Sequence, residues 1–295
     1  MTVRIRPLTP HVGAEVEGID MRRPLAPDEV AAIEAGMDRH AVLVFHDQDV
    51  TDEQQVAFST NFGALELAIG GNVTKDADRR LDVKLADISN LDRDNRLLER
   101  DDRRRMFNLG NRLWHSDSSF RAVPAKYSLL SARRIPSAGG NTEFADMRAA
   151  YDALDDRTKA EVEDLVCEHS LIFSRGLLGF TELSEEEKRT FRPVRQRLVR
   201  THPVTGRKSL FLSSHIGTIV GWPVPEARCF IRDLIEHATR REFVYAHVWR
   251  QHDLVMWDNR QTMHRARPFD ETREARDMRR TTIAGDAPTV AQEAA

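Results

Sequence analysis

Trp114-His115-Ser116-Asp117-Ser118 is the stretch on which the reading of the fold turns. In an extended segment the side chains at i and i+2 share a face, so His115 and Asp117 can offer an imidazole nitrogen and a carboxylate oxygen to one ion. A lone His264 follows Trp257-Asp258-Asn259 far downstream, and a second imidazole from that remote strand completes a set of two His and one carboxylate. Such a set covers one face of an octahedron and leaves the other open to ligands and oxygen, as a mononuclear non-haem iron site requires. Many short strands, with helices between them, follow one another along the chain. The expected fold is therefore mainly β with flanking helices, around a double-stranded β-helix (jelly-roll) core whose barrel mouth holds the metal.

With 11 His and 47 acidic residues in the chain, a His-x-Asp and a distant His also arise by chance, so a second constellation matters. Arg276 and Arg280 lie four apart in Arg276-Asp277-Met278-Arg279-Arg280-Thr281-Thr282-Ile283, whose β-branched end reads as a strand. An offset of four shares a face on a strand, so the two guanidiniums point one way and Arg279 the other. On a buried face each needs an anion, and guanidinium is the side chain shaped to grip a carboxylate. The bland alternative is a solvated basic strand edge.

Outward from these segments the chain reads as strands dressed with helices. Val30, Ile33 and Met37 recur at helical spacing over 27–40, with Pro27 suited to the first turn, and 41–45 is a short apolar run expected as a buried strand. Thr51 and Gln54 form a capping box for a helix ending near Gly63. Residues 87–111 are densely charged and read as an exposed connection, a candidate lid leading into His115. Strands are expected over 127–132, 142–145, 198–201, 209–212, 243–249, 253–257 and 279–283. Helices are expected over 147–154, 156–167, 184–191 and 225–238. One domain spans 1–286, and 287–295 is expected to be a disordered tail.

Composition limits the function classes. The 295 residues carry a net charge of −3 with 31% charged side chains of both signs, a balance that attracts neither nucleic acid nor anionic membrane. Arg103-Arg104-Arg105 follows Glu99, Asp101 and Asp102 and reads as a solvated segment. No run of about 18 apolar residues and no signal-peptide core occurs, so a cytoplasmic protein is expected. Cys167 and Cys229 form no short-spaced zinc pair and read as small residues of two helices filling a reduced interior. His169, His202, His215, His237, His247 and His252 share no ligand spacing and read as surface or hydrogen-bonded structural residues. Trp114 and Trp257 read as wall packing.

Residues 113–120 (LWHSDSSF), 139–144 (GGNTEF), 146–154 (DMRAAYDAL) and 253–264 (DLVMWDNRQTMH) together resemble the taurine and chlorophenoxyacetate dioxygenase family, TauD/TfdA. The likeness runs from about Pro7 to about Ala284 and is greatest toward the chlorophenoxyacetate branch. The resemblance implies that His115, Asp117 and His264 are ligands to Fe(II), that the Thr142 hydroxyl meets the carboxylate of 2-oxoglutarate, and that Arg276 pairs with its distal carboxylate. It implies that Arg280 holds the acidic group of the prime substrate, with Asn111 and the backbone N–H of Ser118 beside it. Two departures stand out. The interval from His264 to Arg276 is one residue longer, which fits an insertion in the turn over 268–275. At Ile69-Gly70-Gly71-Asn72, glycines stand where members carry a His or Lys that helps hold the substrate anion.

The activity implied is hydroxylation of a small anionic organic acid with O2, 2-oxoglutarate being consumed as cosubstrate. For an aryloxyalkanoate such as 2,4-dichlorophenoxyacetate, the hydroxylated ether carbon collapses to a phenol and glyoxylate. A sulfonate, taurine-like substrate is the alternative within the family, and a homo-oligomer is expected. Two other classes compete: a zinc hydrolase using the same ligand set, and a non-catalytic acid-binding protein. Paired carboxylate-gripping arginines argue against the first and a complete triad against the second.

Overall fold

The computed structural model describes residues 3–68 and 73–291. Its packing pivots on the strand Val42–Phe45, buried on both faces. Val42 and Val44 join Leu130, Val255, Trp257, Met278 and Phe144 on one side. Leu43 and Phe45 join Ile33, Met37, Phe58, Leu129 and Met256 on the other. Because both faces are covered, the sequence is an uninterrupted apolar run instead of an alternation. Each such side chain contributes roughly 1.5–3 kcal/mol relative to an exposed one.

That strand lies in a seven-stranded sheet ordered Arg4–Pro7, Ala14–Glu17, Val42–Phe45, Leu254–Asp258, Tyr127–Arg134, Asp277–Thr282, Ala86–Ser89. The pairing of Ala14–Glu17 with Val42–Phe45 is parallel, and the other neighbours are antiparallel. Helices Pro27–His40 and Asp52–Ser59 cover one face. The other meets a three-stranded sheet, Val244–His247, Thr142–Asp146, Thr262–Ala266, through Phe144 and Tyr245. These two sheets form the jelly-roll core expected from the sequence. A further sheet of Ile216–Ile219, Val166–His169 and Val194–Arg197, a strand pair and the helix Val224–Ala238 close the far side, over Ala145 and Met263.

Local signals set the helix starts. The Thr51 hydroxyl accepts from the Gln54 N–H at 3.2 Å while the Gln54 side chain accepts from the Thr51 N–H at 2.8 Å. Pro27 opens its helix, Glu29 accepts the Ala26 N–H at 2.9 Å, and Ala41 ends the helix in a left-handed conformation, φ 58°.

Several expectations are corrected. The helix expected over 156–167 is Asp156–Val162, and Cys167 belongs to the strand Val166–His169, which two neighbouring strands pull into a sheet. Cys229 is exposed, because Ala227, Ile231, Leu234 and Ala238 form the buried stripe of its helix and position 229 falls off it. Residues 87–111 are not simply an exposed connection. Their start belongs to the edge strand Ala86–Ser89, and they continue through the helix Arg103–Asn108, which buries Phe107. Arg103 and Arg104 are engaged by Glu187 and Asp102, at 2.8 and 3.0 Å. The tail does not begin at 287: Thr289 is buried, donating to Gln196 Oε1 at 2.5 Å and accepting the Arg197 N–H at 2.9 Å. Gly70 and Gly71 lie outside the described residues. No helix among the described residues is long and apolar enough to cross a membrane.

Candidate metal centre and acid-binding cleft

His115 and His264 face each other across an isolated antiparallel bridge in which each N–H donates to the other's carbonyl, at 3.0 and 2.8 Å. Beyond His115 the chain turns at once. Asp117 opens a turn whose Ser118 has φ 56°, so the shared face of His115 and Asp117 comes from a bridge running into a turn and not from a strand. One ligand atom from each of His115, Asp117 and His264 lies within 4.8 Å of the others. The Nε2 atoms of His115 and His264 are 3.9 and 3.7 Å from the Asp117 carboxylate oxygens.

Each ligand is oriented by its surroundings. His115 Nδ1 lies 2.7 Å from the Leu113 carbonyl, which can only accept, so the proton sits on Nδ1 and the Nε2 lone pair is free. Ser128 Oγ donates to Asp117 Oδ2 at 2.8 Å. Asn259 Oδ1 accepts the Asp117 N–H at 3.1 Å and the Trp257 indole N–H at 3.0 Å, and Asn259 Nδ2 donates to Ser128 Oγ at 2.9 Å. Ser128 and Asn259 were not among the predicted site residues. Asn259 stood in the quoted Trp257-Asp258-Asn259, whereas nothing near Ser128 in sequence marks it.

Burial pushes the His115 and His264 imidazoles below their ordinary values, Asp117 only partly opposing it, so both are neutral and ligand-ready. At Asp117 burial acts upward, but the Arg280 guanidinium, helped by the Ser128 hydroxyl, outweighs it and holds the carboxyl at about 2. Two neutral imidazoles and one ionised carboxylate fit Fe(II).

A narrow cleft is lined by His115, His264, Asn111, Thr142, Arg276 and Arg280. Thr142, at the start of its strand, accepts the Trp249 indole N–H at 3.0 Å, which leaves its own hydroxyl proton to donate. Arg276 immediately precedes the strand Asp277–Thr282, and a register shift follows it; the two arginines still line one cleft. Asn90 fixes Arg276 by accepting its backbone N–H at 2.8 Å. Gly140 at φ 69° brings the loop close, since a Cβ there would lie 3.5 Å from Arg276 Nε.

Burial, opposed by Glu271, pushes the Arg276 guanidinium down to about 10, and its Nε has no acceptor among the described residues. Glu271 is itself taken by Arg112 and Arg105, at 2.5 and 3.2 Å. A desolvated guanidinium of this kind fits the distal carboxylate of a keto acid. Arg280 Nη1 donates to Asp117 Oδ1 at 2.6 Å, and its Nε is buried without a partner among the described residues. Arg279 points away, to Asp52 at 2.7 Å.

Ser118 lies in an adjoining chamber that shares Asn111, His115, Asp117 and Arg280 and adds Glu66, Arg175 and His215. The Ser118 hydroxyl donates to Glu66 at 2.7 Å, and its backbone N–H meets no acceptor among the described residues. Trp257 lines the cleft with its ring 4.7 Å from that of His264, while Trp114 packs under Arg265. Among the other histidines, His237 and His247 are hydrogen-bonded, to Ala150 and Asp253. His169 is buried with neither ring nitrogen satisfied among the described residues.

The model of the family described as taurine catabolism dioxygenase TauD, TfdA matches residues 4–282. The chain is 48% identical over 289 residues to the alpha-ketoglutarate-dependent 2,4-dichlorophenoxyacetate dioxygenase of Cupriavidus pinatubonensis, covering 97% of this chain and 99% of that one. It is 36% identical over 275 residues to the (S)-phenoxypropionate/alpha-ketoglutarate-dioxygenase of Delftia acidovorans, 91% of each. Among solved structures, AAD-2 in complex with Mn(II) and N-oxalylglycine superposes with a TM-score of 0.96 at 64% identity, over 98% of this chain and 100% of that one.

Proposed function

The chain belongs to the TauD, TfdA family of dioxygenases, and from that premise we propose that it hydroxylates a small aryloxyalkanoate such as 2,4-dichlorophenoxyacetate, using Fe(II) and 2-oxoglutarate. The observation that carries the reading is the gathering of two neutral imidazoles, one carboxylate, Thr142 and the unpaired Arg276 around one cleft. His115, Asp117 and His264 would hold the Fe(II). Arg276 and the Thr142 hydroxyl would together hold the far end of 2-oxoglutarate. Bound together, Fe(II) and 2-oxoglutarate supply the O2-dependent oxidation of a substrate C–H bond, with succinate and carbon dioxide as coproducts.

The remaining side chains orient the acid. With Nη1 committed to Asp117, the Nε–H of Arg280 remains for an anion, and the free N–H of Ser118 and the amide of Asn111 line the same approach. A charge-assisted pair fixes which carbon lies nearest the metal. For an aryloxyacetate that carbon is the ether CH2, whose hydroxylation gives a hemiacetal that breaks to a phenol and glyoxylate. The same reading carries a single catalytic domain, a homo-oligomer and a cytoplasmic site of action, and the small net charge of −3 supports the absence of a nucleic-acid or membrane partner.

The test is aerobic incubation of the Fe(II)-loaded protein with 2-oxoglutarate and a panel of aryloxyacetates, sulfonates and short acids, following succinate and phenol. Stoichiometric phenol and succinate from the aryloxyacetates is the expected result. Succinate released only with sulfonates would overturn the substrate, and no visible charge-transfer band on anaerobic addition of 2-oxoglutarate would overturn the cosubstrate.

A further inference from the structure

Apart from a lysine exposed at its rim, the chamber beside the triad holds one cation that no ion pair among the described residues uses. Glu66 faces Arg121 at 3.7 Å, Asp87 is held by Arg80 at 2.7 Å and Asp117 by Arg280 at 2.6 Å. Lys84 is exposed at the rim. Arg175, only 5% exposed, lines the interior and has no carboxylate within 4.0 Å among the described residues. Burial alone pushes its guanidinium down to about 10.

The setting of Arg175 is a fitted slot. The Phe107 ring lies 4.4 Å from the guanidinium carbon, and Gly110 packs so closely that a Cβ there would come within 2.4 Å of that atom. Nη1 donates to Ser174 Oγ at 3.1 Å, Ser174 Oγ also meets His215 Nδ1 at 2.9 Å, and Nε has no acceptor among the described residues. His215 in turn stands edge-on to His115, ring centres 5.9 Å apart, so the slot is coupled by contact to the metal centre. A buried cation with no counter-charge is expensive to keep, and a rigid fork with an unused donor is matched to a carboxylate.

We propose that Arg175 is a substrate-binding residue, taking the acidic group of the organic acid within the chamber that also contains Arg280. The proposal deepens the anionic-substrate reading and rests on it. With one Arg280 nitrogen committed to Asp117 and its Nε–H left for the anion, Arg175 supplies a second cationic contact for the same acidic group. Phe120 and Leu171, in the same lining, provide apolar surface for the aryl part.

The experiment uses the full chain loaded with Mn(II) and 2-oxoglutarate and measures calorimetric affinity for 2,4-dichlorophenoxyacetate and for the uncharged 2,4-dichlorophenoxyethanol, alongside KM and kcat of the Fe(II) enzyme. Arg175→Gln is expected to weaken binding of the acid roughly 30-fold or more, a charge-assisted pair being lost, while the alcohol and the KM for 2-oxoglutarate change less than about twofold. Arg175→Lys restores part of the loss. Gly110→Ala keeps the charge and displaces it, and is expected to weaken the acid selectively too, which covers the case in which Arg175→Gln does not fold. Equal losses for acid and alcohol, or an unchanged acid affinity in either folded variant, would overturn the proposal. A wild-type protein that takes sulfonates instead refutes the aryloxyalkanoate reading alone, and the same variants are then compared on the sulfonate and its uncharged analogue.

Discussion

Replacing Arg276 by methionine separates what this arginine does for the fold from what it does for the ligand. Burial lowers its guanidinium from an ordinary 12.5 to about 10. At ~1.4 kcal/mol per tenfold change in proton affinity, the folded protein bears on the order of 3 kcal/mol for keeping this cation desolvated. Methionine fills much of the same volume without the charge, so the ligand-free protein is expected to unfold at the same or higher denaturant concentration. Most replacements of a buried side chain instead cost about 1 kcal/mol or more. The keto acid loses its partner, and its affinity is expected to fall roughly 30- to 1000-fold, equivalent to ~2–4 kcal/mol. Urea unfolding of the metal-free protein gives the first quantity, and anaerobic titration of the Fe(II) protein with 2-oxoglutarate the second. An Arg276→Met protein destabilised by ~2 kcal/mol with unchanged 2-oxoglutarate affinity would refute the reasoning, because the arginine would then be a structural ion and not a waiting one.

Asn259→Ala removes the acceptor of the Asp117 N–H and the donor to Ser128, and is expected to weaken metal binding about 10- to 100-fold with little change in 2-oxoglutarate KM at saturating metal, checked by competition with a chelator. Glu29, held by Arg23 and by the Ala26 N–H, has its carboxyl lowered from 4.5 to about 2. A depressed folded-state value contributes stability above the unfolded value that is lost as pH falls through the folded one. Glu29→Gln is therefore expected to be less stable than the parent above pH 4.5, with the gap closing as pH falls toward 2, followed by denaturant unfolding across that range.

What the sequence could disclose follows from how local each cause is. The helix Pro27–His40 and the capping box at Thr51 were legible because apolar spacing and cap chemistry act within a few residues. The strand at Val42–Phe45 was legible because burial on both faces leaves an unbroken apolar run. Cys167 was misplaced because its strand is made by partners at Val194–Arg197 and Ile216–Ile219, which no local window contains. The triad could be read as a pattern, but its support could not. Ser128 reaches Asp117 from a neighbouring strand, and Arg280 spends a nitrogen on Asp117 that sequence alone had reserved for substrate. Arg175 carried no signal at all, since an arginine in Ser174-Arg175-Gly176 looks like a surface residue until its burial is known.

The bridge between His115 and His264 has a thermodynamic consequence for metal loading. Closing the long loop of chain between them costs entropy that grows with the logarithm of its length; packing of the β core meets that cost, and the paired backbone hydrogen bonds hold the two residues opposite each other. An arriving ion finds both imidazoles already juxtaposed and has only to engage the carboxylate on the adjoining turn. Its binding energy is thus not consumed in assembling the chain, as it is in a zinc finger. A chelator should accordingly empty the centre and leave a folded protein ready to be refilled.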